Sequence, residues 1–129
     1  MSKLKFLSVA LASAVLLTGF TGTAFADGDA AKGKKLWKKC KACHTTKDGG
    51  KNKIGPNLYG IFGKAAGTHE GYKYSAALKD SGITWDDATM DTWLTKPKKM
   101  VPKTKMVFPG FKKESQRQDM IAYLKEATK

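Results

Sequence analysis

Cys40-Lys41-Ala42-Cys43-His44 gathers most of the reactive chemistry of this chain into one short stretch. Two thiols at this spacing, with an imidazole directly after the second, admit three readings. A thiol-exchange pair wants a strand before it and a parallel sheet around it. A zinc site wants two further ligands, and the sequence offers only His69, in a glycine-bounded turn. The third reading is C-x-x-C-H, the attachment signal of a c-type haem. The thiols then add across two vinyl groups on adjacent pyrroles of a porphyrin. Two intervening residues at a helix end match the separation of those vinyl groups. The histidine that follows is carried under the ring, where its imidazole ligates iron on the proximal side. Cys40 and Cys43 are thus expected to anchor one covalent haem c, and His44 to bind its metal.

The second axial ligand must come from elsewhere in the chain. Met90, Met100, Met106, Met120, His69 and the lysines are the candidates. Met90 and Met120 fall at helical spacing with other apolar residues, so their default role is core packing. His69 reads as exposed. Met100 and Met106 share a long proline-bearing loop that could lay a thioether against iron. The surroundings favour Met106, preceded by Thr104-Lys105 and followed by Val107-Phe108, which would shield a haem edge.

These groups need elements to position them. Asp29 can cap a helix from Ala30 to about Lys41. Turn signals dominate from His44 to Gly71, with Gly49-Gly50, Gly55-Pro56, Gly60, Gly63 and Gly67. A short helix is expected at Ser75–Ser81, stopped by Gly82. Asp86 or Asp87 can cap another, with Met90, Trp93 and Leu94 on one face, ending before Pro97. Lys96 to Lys113 reads as a long loop. A last helix is expected over Glu114–Ala127, burying Met120, Ile121, Tyr123 and Leu124. No strand pattern of useful length is present, so the expectation is an all-α domain of about four to five short helices and long loops. Loops of this length in so small a domain normally argue against the assignment, and short helices alone cannot close a generous core. Both difficulties vanish if a large apolar prosthetic group fills the centre.

The N-terminal stretch is set apart from that domain. Lys3 and Lys5, an apolar run from Phe6 to Phe20 and Ala24-Phe25-Ala26 have the layout of a secretory signal peptide cleaved after Ala26. The run is shorter than the roughly 20 residues a membrane span needs. Residues 1–26 are therefore expected to be a leader and 27–129 the mature domain, exported to the periplasm without stable membrane insertion. The chain has 24 Lys+Arg against 11 Asp+Glu, a formal net charge of +13. Such a field speeds encounter with acidic surfaces. Arg117 is the only arginine, and nucleic-acid readers favour arginine for its bidentate fork. With export, that argues against a nucleic-acid partner.

From Gly28 to Lys129 the chain resembles a class I c-type cytochrome of the mitochondrial cytochrome c and bacterial cytochrome c2 type. The resemblance rests on Gly28-Asp29 to Lys35, Cys40 to His44, Gly55-Pro56-Asn57-Leu58-Tyr59-Gly60, Gly82-Ile83-Thr84-Trp85, Pro97-Lys98-Lys99, Thr104-Lys105-Met106 with Phe108, and Ile121 to Lys125. It implies His44 and Met106 as axial ligands, with the Pro56 carbonyl accepting a hydrogen bond from the His44 ring. It implies that Tyr74 and Trp85 hydrogen-bond a buried haem propionate near Ser75, and that Gly33 lets the first and last helices cross closely beside Trp37 and Tyr123. The chain also departs from the pattern. Lys64 stands where relatives often carry an arginine, and Trp93 where a tyrosine often meets the methionine ligand. Lys103 replaces a usual glycine, and Asn52 a histidine that often braces the loops.

The resemblance implies a one-electron carrier rather than an enzyme, working as a soluble monomer. Lys34, Lys35, Lys39, Lys53, Lys98, Lys99, Lys105, Lys112 and Lys113 lie in segments that flank the exposed haem edge in that family. An acidic redox partner is the expected target: a cytochrome bc complex, a terminal oxidase, a photosynthetic reaction centre or a periplasmic dehydrogenase. Two rivals stand beside this reading. One is a haem peroxidase or ligand-binding protein with an open distal side. The other is a tethered cytochrome whose Met1–Ala26 segment is retained.

Overall fold

The computed structural model describes residues 27–129; the expected leader at Met1–Ala26 lies outside the described residues. Asp29 opens α1 (Ala30–Leu36) by accepting from the Ala31 and Lys32 N–H groups at 2.9 and 3.1 Å. The helix tightens into a 3₁₀ turn over Trp37–Lys39, one residue short of the cysteines. A tightened last turn is a common way to satisfy the free carbonyls of a helix end. Here it carries directly into Cys40–His44, where the Cys43 and His44 N–H groups both donate to the Cys40 carbonyl.

α5 (Glu114–Ala127) has the expected bounds and buries Met120, Ile121 and Leu124, while Tyr123 is only half-buried. Its partner is α1. Gly33 is buried at their crossing, where an added Cβ would collide with the Asp119 carbonyl and stand 2.6 Å from Tyr123 Cβ. The Trp37 and Tyr123 rings pack beside the crossing with centroids 5.8 Å apart. The contact demands a residue without a side chain. The Asp29 N–H adds a hydrogen bond to Asp119 Oδ1 at 2.8 Å.

Three shorter helices lie between α1 and α5 in the chain. Ser75 caps α2 (Ala76–Lys79) through its hydroxyl, which accepts from the Leu78 N–H. α3 (Asp87–Thr95) begins in a capping box: Asp86 Oδ1 accepts from the Thr89 N–H at 2.7 Å, and Thr89 Oγ1 from the Asp86 N–H at 2.9 Å. The Thr89 amide, then its hydroxyl, holds the Asp86 carboxyl below its ordinary value. A depressed carboxylate stabilises the fold above its unfolded-state value and loses that contribution as pH falls through the folded one. Asp86→Ala will therefore lower the urea midpoint at about pH 7, and the gap from wild type will close at about pH 2.

The long loop expected over Lys96–Lys113 is broken by a further helical turn, α4 (Pro97–Met100). α3 ends before Pro97 as expected, but Pro97 also opens α4, in whose first turn its missing N–H costs nothing. Lys96 before it is extended, as a residue preceding proline tends to be. The loop proper starts after α4. Arg117 of α5 fastens its far end, donating to Asp91 Oδ1 of α3 at 2.8 Å and to the Phe111 and Lys112 carbonyls at 3.0 and 3.2 Å. Among the described residues there is no strand, only an isolated bridge between Ala65 and Thr84. The fold is the expected small all-α one.

Candidate haem site

Beside the α1–α5 crossing, the helices and loops enclose a cavity of about 230 Å³. Voids in protein interiors are normally little larger than a water molecule, so this space is built for an occupant. Cys40, Cys43 and His44 line it, as do Pro56, Tyr74, Ser75, Trp85, Trp93, Thr104, Met106 and Phe108, the whole set expected from the sequence. Met100 lies outside that lining, in a separate shallow cleft with Ala77, Ile83 and Val101. Met90 and Met120 reach the cavity from α3 and α5 but are buried in the core. Of the methionines among the described residues, Met106 alone approaches it from a loop.

His44 is fixed from behind. Its Nδ1 lies 2.8 Å from the Pro56 carbonyl oxygen. A carbonyl can only accept, so Nδ1 carries the proton and Nε2 keeps a free lone pair. Gly55 supports the ring, because an added Cβ there would stand 2.7 Å from Nδ1. Burial pushes the imidazole below its ordinary value, and the bond to Pro56 offsets only part of this. The result is a neutral, oriented metal ligand.

Cys40 and Cys43 are not joined in a disulfide. Burial, reinforced by Cys43 and opposed by Lys39, pushes the Cys40 thiol up to about 11. Thiol exchange needs a thiolate near neutral pH, so the site is unsuited to that chemistry. It also lacks a zinc set: among the described residues no group of three His, Cys, Asp or Glu is placed to hold a metal.

Polar groups gather on the 64–75 segment. Burial raises the Tyr74 phenol above its ordinary value, against a hydrogen bond from the His69 backbone. Tyr74 therefore remains a proton donor at neutral pH, suited to an anionic group in the cavity. His69 corrects the sequence expectation: it is half-buried and lines the cavity. Lys64 lines it too. Trp93 is buried on α3, its ring edge-on to Trp85 with centroids 5.4 Å apart. Asn52 does brace the loops, accepting from the Asn57 N–H at 2.8 Å and donating to the Glu70 carbonyl at 3.4 Å. Sequence reading missed Leu58, Ile61, Tyr72 and Leu78 as lining residues. Only the apolar type of the first two and the cap at Ser75 hinted at them.

The residues fit a covalent haem. Two thiols and an oriented imidazole share a wall, a loop-borne thioether reaches the same space, and the rest of the lining is chiefly apolar. Around the mouth, Ile54 and Val107 are 78% and 87% exposed. The nine lysines expected to flank the haem edge are all exposed, and none pairs with a carboxylate among the described residues.

Comparison with known proteins agrees with this geometry. The family model for cytochrome c matches residues 30–128. Cytochrome c of Nigella damascena is 50% identical over 102 residues, covering 78% of this chain and 92% of the relative. That of Cannabis sativa is 52% identical over the same shares. That of Theileria parva is 53% identical over 103 residues, 79% of this chain and 89% of the relative. With C-x-x-C-H on the wall of a chiefly apolar cavity and matches along nearly the whole described domain, the chain belongs to the cytochrome c family and carries one haem c bound through Cys40 and Cys43.

Proposed function

We propose that this electron-transfer protein is an exported, freely diffusing carrier, and that His44 and Met106 ligate its haem iron. The observation that carries the reading is the His44–Pro56 bond, which leaves Nε2 bare in the cavity that Met106 also lines. The haem supplies one iron that cycles between ferric and ferrous. The chain's own residues do the rest. His44 is held in one tautomer by Pro56, so no ligand needs to reorient when the charge changes. A thioether from Met106 and the apolar lining from Trp85, Trp93 and Leu94 favour the lower-charged state and raise the potential relative to two histidines. Tyr74, Ser75 and Trp85 present donors for the haem's carboxylates. With His44 and Met106 both holding the iron, no position would be left for a substrate, and Pro97 to Phe111 holds no acid or histidine to assist one.

The ferric spectrum tests this against a peroxidase-like enzyme. The carrier will show a weak Met–iron charge-transfer band and bind cyanide slowly. A high-spin spectrum that shifts at once on adding cyanide would reject it.

The unpaired lysines and the apolar spots at Ile54 and Val107 support docking to an acidic partner through this face, as expected for a bc complex, an oxidase, a reaction centre or a dehydrogenase. Screening weakens such attraction steeply once the Debye length falls below about 10 Å. The second-order electron-transfer rate with an acidic partner is thus expected to fall several-fold between about 0.01 and 0.2 M salt. A flat or rising rate would reject the docking face. The leader-like layout of residues 1–26, with its basic start, apolar run and Ala24-Phe25-Ala26, supports periplasmic delivery. Among the described residues no helix is long and apolar enough to cross a membrane. N-terminal sequencing of the exported protein should begin at Asp27; a start at Met1 would favour the tethered form.

A further inference from the structure

Lys103 is, among the described residues, the one non-glycine with a left-handed backbone, at φ 70°. The cause is local. Val101-Pro102-Lys103-Thr104 closes as a β-turn, the Thr104 N–H donating to the Val101 carbonyl at 3.1 Å. Proline at the second position and positive φ at the third are the marks of a type II turn, which favours glycine at that third place. Val101 and Thr104 are both buried, so the turn is held at its two ends. Lys103, exposed between them, must take the conformation they impose.

That turn opens directly onto the segment bearing Met106, which is lightly held. Between Lys105 and Gly110 the one backbone N–H bonded within the described residues is that of Met106, to Thr104 Oγ1 at 3.3 Å. The Lys105 ammonium straps the segment to the Lys73 carbonyl at 2.7 Å, and the Phe108 ring rests edge-on against Phe111. The chain is secured again only where the Phe111 N–H donates to the Leu94 carbonyl at 2.8 Å. A segment with so few backbone bonds opens locally at low free energy, so a modest strain at its hinge shifts the balance between closed and open forms.

We propose that Lys103 is a positioning residue for Met106, whose strained turn loosens the grip of the loop so that the thioether yields to an incoming small ligand more readily than it would with glycine there. The proposal rests on Met106 being the axial ligand. Opening lets Lys103 relax out of the left-handed region, whereas glycine has no such strain to release.

The test is an imidazole titration of the ferric holoprotein, followed by loss of the Met–iron charge-transfer band. For Lys103→Gly the apparent affinity for imidazole should be about fivefold lower, because the left-handed cost to an L side chain exceeds what glycine loses in chain entropy. At 1.4 kcal/mol per tenfold this is about 1 kcal/mol. Lys103→Ala removes the ammonium but keeps the strain, and should titrate like wild type. If Lys103→Gly titrates like wild type, or both variants shift together, the proposal is overturned while the ligand assignment stands. A wild-type protein without the band, or Met106→Ala retaining it, overturns the ligand assignment and this proposal with it.

Discussion

Replacing Cys40 and Cys43 with serine and purifying the haem-free chain should give a protein without a cooperative thermal transition. The cavity of about 230 Å³ is bounded by the residues that make the core, Trp85, Met90, Trp93, Leu94, Met120 and Leu124. An apolar void costs about 24 cal/mol per Å³, so leaving this one empty costs about 5 kcal/mol. A domain of this length holds only about 5–15 kcal/mol in total. Collapse is the alternative to an empty cavity, but it would pull α3 and α5 out of register with the loops that His44 and Met106 ride on. The expected result is retained helical signal in the far-ultraviolet, lost aromatic signal in the near-ultraviolet, and a broad melt. A haem-free chain that melts sharply within a few degrees of the holoprotein would show that the helices carry their own core.

At the crossing of α1 and α5 the largest effect of a single substitution is expected from Gly33→Val. Even a methyl group there collides with the Asp119 carbonyl and crowds Tyr123, and backbone cannot give way as a flexible side chain can. Overpacking typically costs 1–3 kcal/mol; a collision with the main chain of a packed helix belongs at or above the top of that range. For a domain near 100 residues each kcal/mol moves the midpoint by about 4–8 °C, so the holoprotein should lose roughly 12–24 °C. Gly63→Ala provides the contrast. Its φ is 85°, but an added Cβ meets nothing within 4 Å, so only the conformational cost of about 1–2 kcal/mol applies. Equal losses at the two sites would mean that the crossing is looser than its geometry indicates. The haem spectrum should survive both substitutions, since neither glycine lines the cavity.

What could be read from the residues alone divides by how local its physics is. C-x-x-C-H was legible because attachment chemistry needs its groups adjacent in sequence. The bounds of α5 were legible from an apolar period flanked by polar residues, and the cap at Asp29 from a side chain suited to orphan N–H groups; at α3 the sequence left Asp86 and Asp87 as alternatives, and Asp86 is the cap. α4 was not, because proline ends one helix and begins another with the same residue, and only the surrounding packing decides which. His69 sits between Gly67 and Gly71 in a stretch that reads as exposed turn; its place at the cavity depends on the path of the 64–75 segment. Met100 and Met106 share a loop, and residue chemistry favoured the second without separating them. The three-dimensional separation comes from α4, which carries Met100 to the far cleft before the chain turns back at Lys103. Leu58 and Ile61 follow no helical or strand period, so only their apolar type hinted at a place in the cavity wall.

The central claim is that one covalent haem completes this fold and is held at its iron by His44 and Met106. Intact mass and ferric absorption of the exported protein, measured beside Met106→Ala, test it together. The expected result is the chain from Asp27 plus the mass of one haem, a Met–iron band in the wild type, and its loss in the variant with the covalent haem retained. A folded wild-type protein without added mass, or a band that persists in Met106→Ala, would contradict it.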